Sequence, residues 1–320
     1  MANVKIIATG GTIANTLDGR LPVQRVLDDI ANRHPETKVT DVADVSVDEL
    51  LRDTASTFTP REWMTIWQAA DKWSSDPSVD GIVVTHGTFT AEETAYFLHL
   101  TARTDKPVVL ACSQRKHGTI SNDGDKNLYD AVRVAVDPRA AGQGVVVLLD
   151  EEIHSARDVT KTNQRPGGFV SNGSGALGSV EDDQVSFYRS PARRHTVGSE
   201  FDVSATGTLP RVDIAATYAG ADGCAVDAFL EAGAAGIVVN GFAFSGKPHP
   251  LQLPALRRAM ARGVPVVLTN RGGDGRVPTN SGDEFVGGDN LTAQKARVLL
   301  TVALTSTQEP AELQRIFSEY

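Results

Sequence analysis

Cysteine is nearly absent from this chain. Its 320 residues include only Cys112 and Cys224, which lie far apart and match no metal-ligand spacing. Both stand among apolar neighbours, where cysteine acts as a small hydrophobe, so two reduced thiols and no structural metal are expected. Positive charge is also in short supply: 31 Lys and Arg face 40 Asp and Glu, a formal net charge of -9. That balance argues against nucleic-acid binding over the whole surface, because phosphate needs a concentrated field of Lys and Arg. The expected partner is a small molecule. No stretch reaches the roughly 20 consecutive apolar residues of a membrane helix, which removes transmembrane readings. The opening Met1-Ala2-Asn3-Val4-Lys5-Ile6-Ile7 lacks a basic segment followed by a long apolar run and a small-residue cleavage site. A cytoplasmic location is the resulting expectation. There is no short internal repeat and no low-complexity tract.

What is present fits a globular chain, since a disordered one would carry fewer than the 41% hydrophobic residues found here. The length suits two domains. Short β-branched runs at Val4 to Ala8, Gly81 to Thr85, Pro107 to Ala111 and Gly144 to Leu149 end in polar or glycine-bearing turns and read as buried parallel strands. Helical periodicity marks Pro60 to Trp73, Ala91 to Thr101 and Lys126 to Val134. Strand alternating with helix predicts an α/β fold with a doubly wound, parallel-type sheet. The periodicity lapses from Arg189 to Leu209, then resumes with strands near Val212 to Ala216, Gly236 to Val239 and Pro265 to Thr269. Helices are expected over Ala225 to Glu231, Gln252 to Ala261 and Thr292 to Leu304. The expected organisation is an N-terminal domain over 1–188, a linker over 189–209 and a smaller α/β domain over 210–320.

Three segments carry residues suited to chemistry. Thr9-Gly10-Gly11-Thr12 follows the first strand, so Thr12 stands at the carboxyl end of the sheet, where open α/β sheets bind ligands. The third glycine of a dinucleotide fingerprint is missing, and no Lys-Ser or Lys-Thr pair follows. Taken alone, the segment is explained as well by a tight turn as by catalysis. Thr85-His86-Gly87-Thr88 ends another apolar strand and faces the same crevice by the same rule. Thr90 with Glu93 three residues on fits a capping box, leaving Thr88 for other work. In Asp158-Val159-Thr160-Lys161-Thr162-Asn163 a lysine stands in a polar loop. Such a lysine is usually solvated surface, but one whose pKa falls on burial can act as a base toward a hydroxyl. The clusters Arg193-Arg194-His195 and Glu151-Glu152 read as solvated surface or interdomain contacts.

Together these segments resemble the bacterial-type asparaginase and glutaminase family, and the resemblance runs along essentially the whole chain. Its marks are Thr9-Gly10-Gly11-Thr12-Ile13-Ala14, His86-Gly87-Thr88 before Glu92-Glu93-Thr94-Ala95-Tyr96-Phe97-Leu98, and Asp158 to Asn163. Asp123-Gly124, Asn127-Leu128-Tyr129, Pro191-Ala192-Arg193 and Gln294-Lys295-Ala296-Arg297 add to them. The resemblance implies a flavodoxin-like N-terminal sheet and an amidohydrolase with no cofactor. It further implies catalysis by Thr12, Thr88 and Lys161, with Thr12 as nucleophile of a two-step displacement and Thr88 as its rival. Homotetramers built from pairs of dimers are implied as well.

Several positions depart from the family pattern. Where the family has an aspartate that holds the substrate's amino group, this chain has Phe89, which cannot accept a hydrogen bond. Ala55 takes the place of a serine that binds the substrate carboxylate, with Ser56 beside it. Phe244 falls where many relatives carry an asparagine reaching in from a neighbouring subunit. The lid between Asn15 and Val23 has no tyrosine, and the loop after Arg276-Val277-Pro278 is short, leaving Glu284 as the nearest acid. Each change removes a polar anchor for an amino-acid head group. The expected substrate is therefore a carboxamide, lactam or cyclic imide without that head. An ordinary L-asparaginase is the alternative, and a catalytically silent amide-binding protein ranks third.

Overall fold

The structure, a computed structural model, describes residues 1–52, 54–171, 173–278 and 284–320. It divides into two compact units, Met1–Ser199 and Glu200–Tyr320.

In the first unit the chain runs β1 (Asn3–Ala8), α1 (Val23–Arg33), β2 (Asp44–Glu49), α2 (Pro60–Ser74), β3 (Gly81–Thr85), α3 (Ala91–Thr101), β4 (Val108–Ala111), α4 (Gly124–Val136) and β5 (Val145–Leu149). Shorter strands follow: β6 (Glu152–Ser155), β7 (Val159–Lys161), β8 (Phe169–Ser171), β9 (Gly178–Val180) and β10 (Val185–Phe187). The main sheet has the order β10-β9-β6-β5-β4-β3-β1-β2, parallel from β2 to β5 and antiparallel beyond. Strands β3, β4 and β5 are buried at every position, which is why they read as unbroken Val, Ile and Leu runs. Side chains alternate across the sheet. Ile6, Ala8, Val83 and Val109 meet Val26 and Ile30 of α1 and Leu128 and Ala131 of α4 on one face. Helices α2 and α3 join one another through stacked Trp63 and Phe97 and a hydrogen bond from Trp67 Nε1 to the Thr101 carbonyl. The doubly wound sheet is thus as the sequence predicts, with an antiparallel extension that it does not.

The second unit contains β11 (Val212–Ala216), α5 (Cys224–Glu231), β12 (Gly236–Gly241), α6 (Leu253–Ala261), β13 (Val266–Asn270), β14 (Val286–Gly287), α7 (Ala293–Ala303) and α8 (Pro310–Glu319). Its four strands are parallel and lie in chain order. Val226, Leu256 and Ala259 pack on Ile237, Val239 and Val266 to form its core.

Three local expectations need correction. Cys224 is exposed, because it opens α5 at the surface; Cys112 is buried as expected, and both thiols are free. The Thr90 side chain does not cap α3 but donates to the Ala55 carbonyl at 3.0 Å. A capping box does form one helix earlier, between Thr59 and Glu62 of α2. His195 is half-buried rather than solvated, its ring 4.8 Å from that of His99.

Candidate active site

Strand order reverses between β1 and β3: β2 lies to one side of β1, while β3, β4 and β5 follow on the other. Such a switch point opens a crevice beyond the carboxyl ends of the two strands, because their outgoing loops diverge to opposite faces. The Thr12 and Thr88 segments are those two loops. Their bases are tied together, with Thr9 Oγ1 and Thr9 N both donating to the Thr85 carbonyl at 2.6 and 3.2 Å.

After β1 the chain passes through Gly10 and Gly11 at φ of 82° and 96°, values that side-chain-bearing residues adopt only with strain. Gly11 is needed for a second reason. A Cβ there would lie 2.6 Å from the His86 carbonyl and 2.7 Å from the Gly87 nitrogen. A Cβ on Gly87 would in turn lie 2.7 Å from the Ala55 methyl. Three segments therefore meet with no room for a further side-chain atom, and Thr12 and Thr88 each follow one residue after this contact. Beneath it His86 is fully buried. Its Nδ1 lies 2.8 Å from the Gly87 carbonyl, Phe58 packs edge-on at 5.2 Å, and burial lowers its pKa to about 4. The imidazole is neutral at neutral pH, and the Gly87 carbonyl takes its Nδ1–H.

Lys161 ends β7, where the sequence suggests a loop. The strand is only three residues long and pairs antiparallel with β8, Lys161 opposite Phe169. Its Nζ reaches Thr88 Oγ1 at 2.6 Å across 73 residues of chain. Burial lowers the Lys161 pKa from its ordinary value, while the negative forms of Cys112 and Glu92 act in the opposite direction. As ammonium Lys161 donates to the Thr88 oxygen; as free amine it can accept the Thr88 proton. The lowered pKa brings the second state closer to neutral pH.

Two of the positions singled out in the sequence for substrate binding, Phe89 and Ala55, carry apolar side chains. Phe89 is 70% exposed, with its ring centre 5.6 Å from Lys161 Nζ, a weak cation–π contact. Ala55 is 1% exposed, held between Gly87 and the Thr90 hydroxyl. Ser56 points to solvent, its hydroxyl 3.1 Å from that of Thr54. The segment between Asn15 and Val23 folds back on itself: Asn15 bridges Arg20, and the Asn15 carbonyl accepts from His117 N at 2.8 Å.

Phe244, in the second unit, follows β12 and is 98% exposed. Glu284 is engaged by Arg257 of α6 through two hydrogen bonds of 2.6 and 3.1 Å. The rest of the short loop noted in the sequence, residues 279–283, lies outside the described residues. Among the described residues no group of three or more His, Cys, Asp or Glu side chains could hold a metal ion.

Two family models match in order, Asparaginase, N-terminal over residues 3–193 and Glutaminase/Asparaginase C-terminal domain over residues 211–317. The chain belongs to the asparaginase family. It is an asparaginase-family amidohydrolase, a hydrolase acting on C–N bonds. L-asparaginase 2 of Escherichia coli (strain K12) is 37% identical over all of this chain and 94% of its own length. Glutaminase-asparaginase of Pseudomonas aeruginosa is 37% identical, over all of this chain and 91% of its own. The crystal structure of a probable cytoplasmic L-asparaginase from Campylobacter jejuni superposes with a TM-score of 0.94 at 37% identity, covering the whole of both chains.

Two groups whose negative forms act on Lys161 carry no sequence signal of their own. Cys112 reads as a core hydrophobe; it directly follows β4 and is buried, and its negative form would raise the Lys161 pKa. Glu92 reads as one of two acids in the first turn of a helix, the usual place for them.

Proposed function

We propose that Thr12, Thr88 and Lys161 cleave an amide by two displacements, on a carboxamide, lactam or cyclic imide lacking the free amino-acid head group. Thr12 Oγ attacks the carbonyl carbon, the C–N bond breaks and the nitrogen takes a proton, leaving as ammonia from a carboxamide and staying tethered to the acyl group in a lactam or cyclic imide. The acyl ester on Thr12 then takes water and releases the acid. Lys161, as free amine, accepts the Thr88 proton and through Thr88 activates the nucleophile or the water. Backbone N–H groups of the glycine turns stabilise the oxyanion, a contribution of about 3 kcal/mol per donor. The observation that carries the substrate assignment is the phenyl ring of Phe89 beside the Lys161 ammonium. A ring there offers no carboxylate to a substrate amine, and the buried methyl of Ala55 offers no hydroxyl to a carboxylate. A site built to bind polar groups discriminates by orders of magnitude, and removing those groups removes that preference.

L-asparagine hydrolysis is the second reading, favoured by relatives named as L-asparaginases that match over the whole of this chain. Ammonia release from L-asparagine, L-glutamine and simple amides, with ring opening of lactams and cyclic imides followed directly, separates the two. Turnover of amides or cyclic imides with silence on both amino acids supports the first reading. Fast turnover of L-asparagine establishes the second. The variant Phe89→Asp is expected to leave L-asparagine turnover poor, because Ala55 still provides no carboxylate anchor; a large gain from that single change overturns the pocket reading.

We further propose a cytoplasmic homo-oligomer in which Phe244 closes a neighbouring subunit's pocket. Light scattering on the purified protein and cell fractionation test the assembly and the location; a monomer, or recovery from the periplasm, refutes the corresponding part.

A further inference from the structure

We propose that a cavity beside the Thr12 turn is an anion subsite, and that the amide cleaved by this protein carries a carboxylate at its far end. The inference rests on the reading of the centre as an amidase and names the class of amide it takes. The cavity holds about 460 Å³, and its lining includes Asn15, Arg20, Arg52, Thr54 and Lys116. Asn15 lies three residues after Thr12, and Thr54 directly precedes Ala55. The three cations come from three separate loops, those that follow β1, β2 and β4. All three loops leave the carboxyl ends of parallel strands around the switch point, where such sheets bind ligands.

Charge sets this cavity apart. No acidic side chain is among the described residues that line it. Asp18, in the same loop as Arg20, lines a second cavity with Arg33 and His117 instead. The Arg20 guanidinium has a framework role: Nε donates to Asn15 Oδ1 at 2.7 Å, and a terminal nitrogen donates to the Arg52 carbonyl. Those bonds join the loops after β1 and β2, so the cavity is shaped before a ligand arrives. The Arg52 guanidinium and the Lys116 ammonium meet no carboxylate among the described residues. A cleft lined by one sign of charge gathers ions of the other, a charged substrate included. In a chain of net charge -9 such a place is where an anion can be held. The substrate also needs an anchor of this kind. Phe89 offers nothing to an ammonium and Ala55 nothing to a carboxylate, so another polar contact has to orient the amide. Arg52 and Lys116 supply it.

Binding is tested without turnover. Glutarate is titrated calorimetrically into the purified protein at neutral pH and low salt, and into Arg52→Glu and Lys116→Glu, with inorganic phosphate as the second probe. Glutarate is expected to bind, and each charge reversal to weaken it about tenfold or more, the worth of a hydrogen bond to a charged group. Both side chains are exposed, so the variants should fold; where a reversal does not, Arg52→Gln or Lys116→Gln decides, with a smaller loss expected. Failure to bind glutarate, binding of phosphate alone, or glutarate binding that the variants leave unchanged overturns the inference. Turnover is then compared within matched pairs, succinamate against butyramide and adipamate against hexanamide. The anionic member is expected to have the higher kcat/KM, by about tenfold or more in at least one pair, and that ratio should fall in Arg52→Glu. Equal kcat/KM within both pairs overturns the inference as well. A protein that binds glutarate as described yet hydrolyses nothing on the panel refutes the amidase reading alone.

Discussion

Both units of this protein contain parallel strands with helices between them, yet the hydroxyl–lysine pair belongs to only one of them. The difference is strand order. In the first unit β2 lies on one side of β1 and β3 on the other, so consecutive loops part and leave a crevice. In the second, β11 to β14 step in one direction, and α5 and α6, which connect them, lie against the same core. Among the described residues the strand order does not reverse there. Chemistry on such folds follows the topological switch rather than the composition of the strands, which are equally rich in valine in both sheets.

The largest effect should come from striking the switch point itself. Thr12→Ala and Lys161→Met are each expected to lower turnover of the best amide by about 1,000-fold or more, roughly 4 kcal/mol of barrier. Thermal unfolding should change little, since neither side chain is a core hydrophobe. Near-native initial rates in either variant would remove that residue from the mechanism.

A glycine from each unit sharpens the contrast further. Gly11 and Gly233 have similar left-handed φ, 96° and 82°, but a Cβ on Gly233 meets nothing within 4 Å, whereas one on Gly11 strikes the His86 carbonyl. Gly233→Ala should cost about 1 kcal/mol, the backbone penalty alone. Gly11→Ala adds an overpacking cost of roughly 1–3 kcal/mol and should displace the Thr12 and Thr88 segments from one another, with loss of activity. Urea unfolding of the two variants reads the difference; equal losses would show that the close approach at Gly11 is readily relieved.

These contacts also explain what the sequence could and could not reveal. Strands buried on both faces are legible as valine runs, and α3 spans Ala91–Thr101 as its periodicity predicts. Strand β2, Asp-Val-Ser-Val-Asp-Glu, went unread because its charged edge residues mask the alternation of Val45 and Val47. Strands β6 to β10 have three or four residues each, too few for a period to appear. The segments bearing Thr12, Thr88 and Lys161 stand out as polar or glycine-rich breaks after apolar runs. That Lys161 reaches Thr88 depends on the β7–β8 hairpin, whose strands of three residues each are too short for a period to appear, although Pro166-Gly167-Gly168 marks its turn. Glu92 is hidden for the opposite reason: its place in a helix's first turn already has an ordinary explanation.

A smaller effect concerns pH. Buried His86 stays neutral in the fold, with its pKa lowered from 6.5 to about 4. Between those values the unfolded chain binds a proton that the native state does not, so stability rises with pH across that window. The contribution is present in full above pH 6.5 and is lost as pH falls toward 4, about 3 kcal/mol in all. His86→Gln should start less stable at pH 7 and lose less on acidification. Unfolding free energies at pH 7, 5.5 and 4 measure the slope, and identical slopes in both proteins would assign the acid sensitivity elsewhere.

The smallest effect on stability belongs to Phe244, and it tests whether the second unit contributes to chemistry at all. A phenyl ring 98% exposed gives almost nothing to the fold it sits on, so Phe244→Ala should leave unfolding free energy within about 0.5 kcal/mol. If that ring closes a neighbouring subunit's pocket, its removal weakens ground state and transition state alike: KM rises several-fold for an apolar amide while kcat holds. Steady-state kinetics on the assembled protein distinguish the cases. An unchanged KM would leave recognition, like bond cleavage, to the unit that carries the switch point, and the second sheet would then serve assembly rather than substrate.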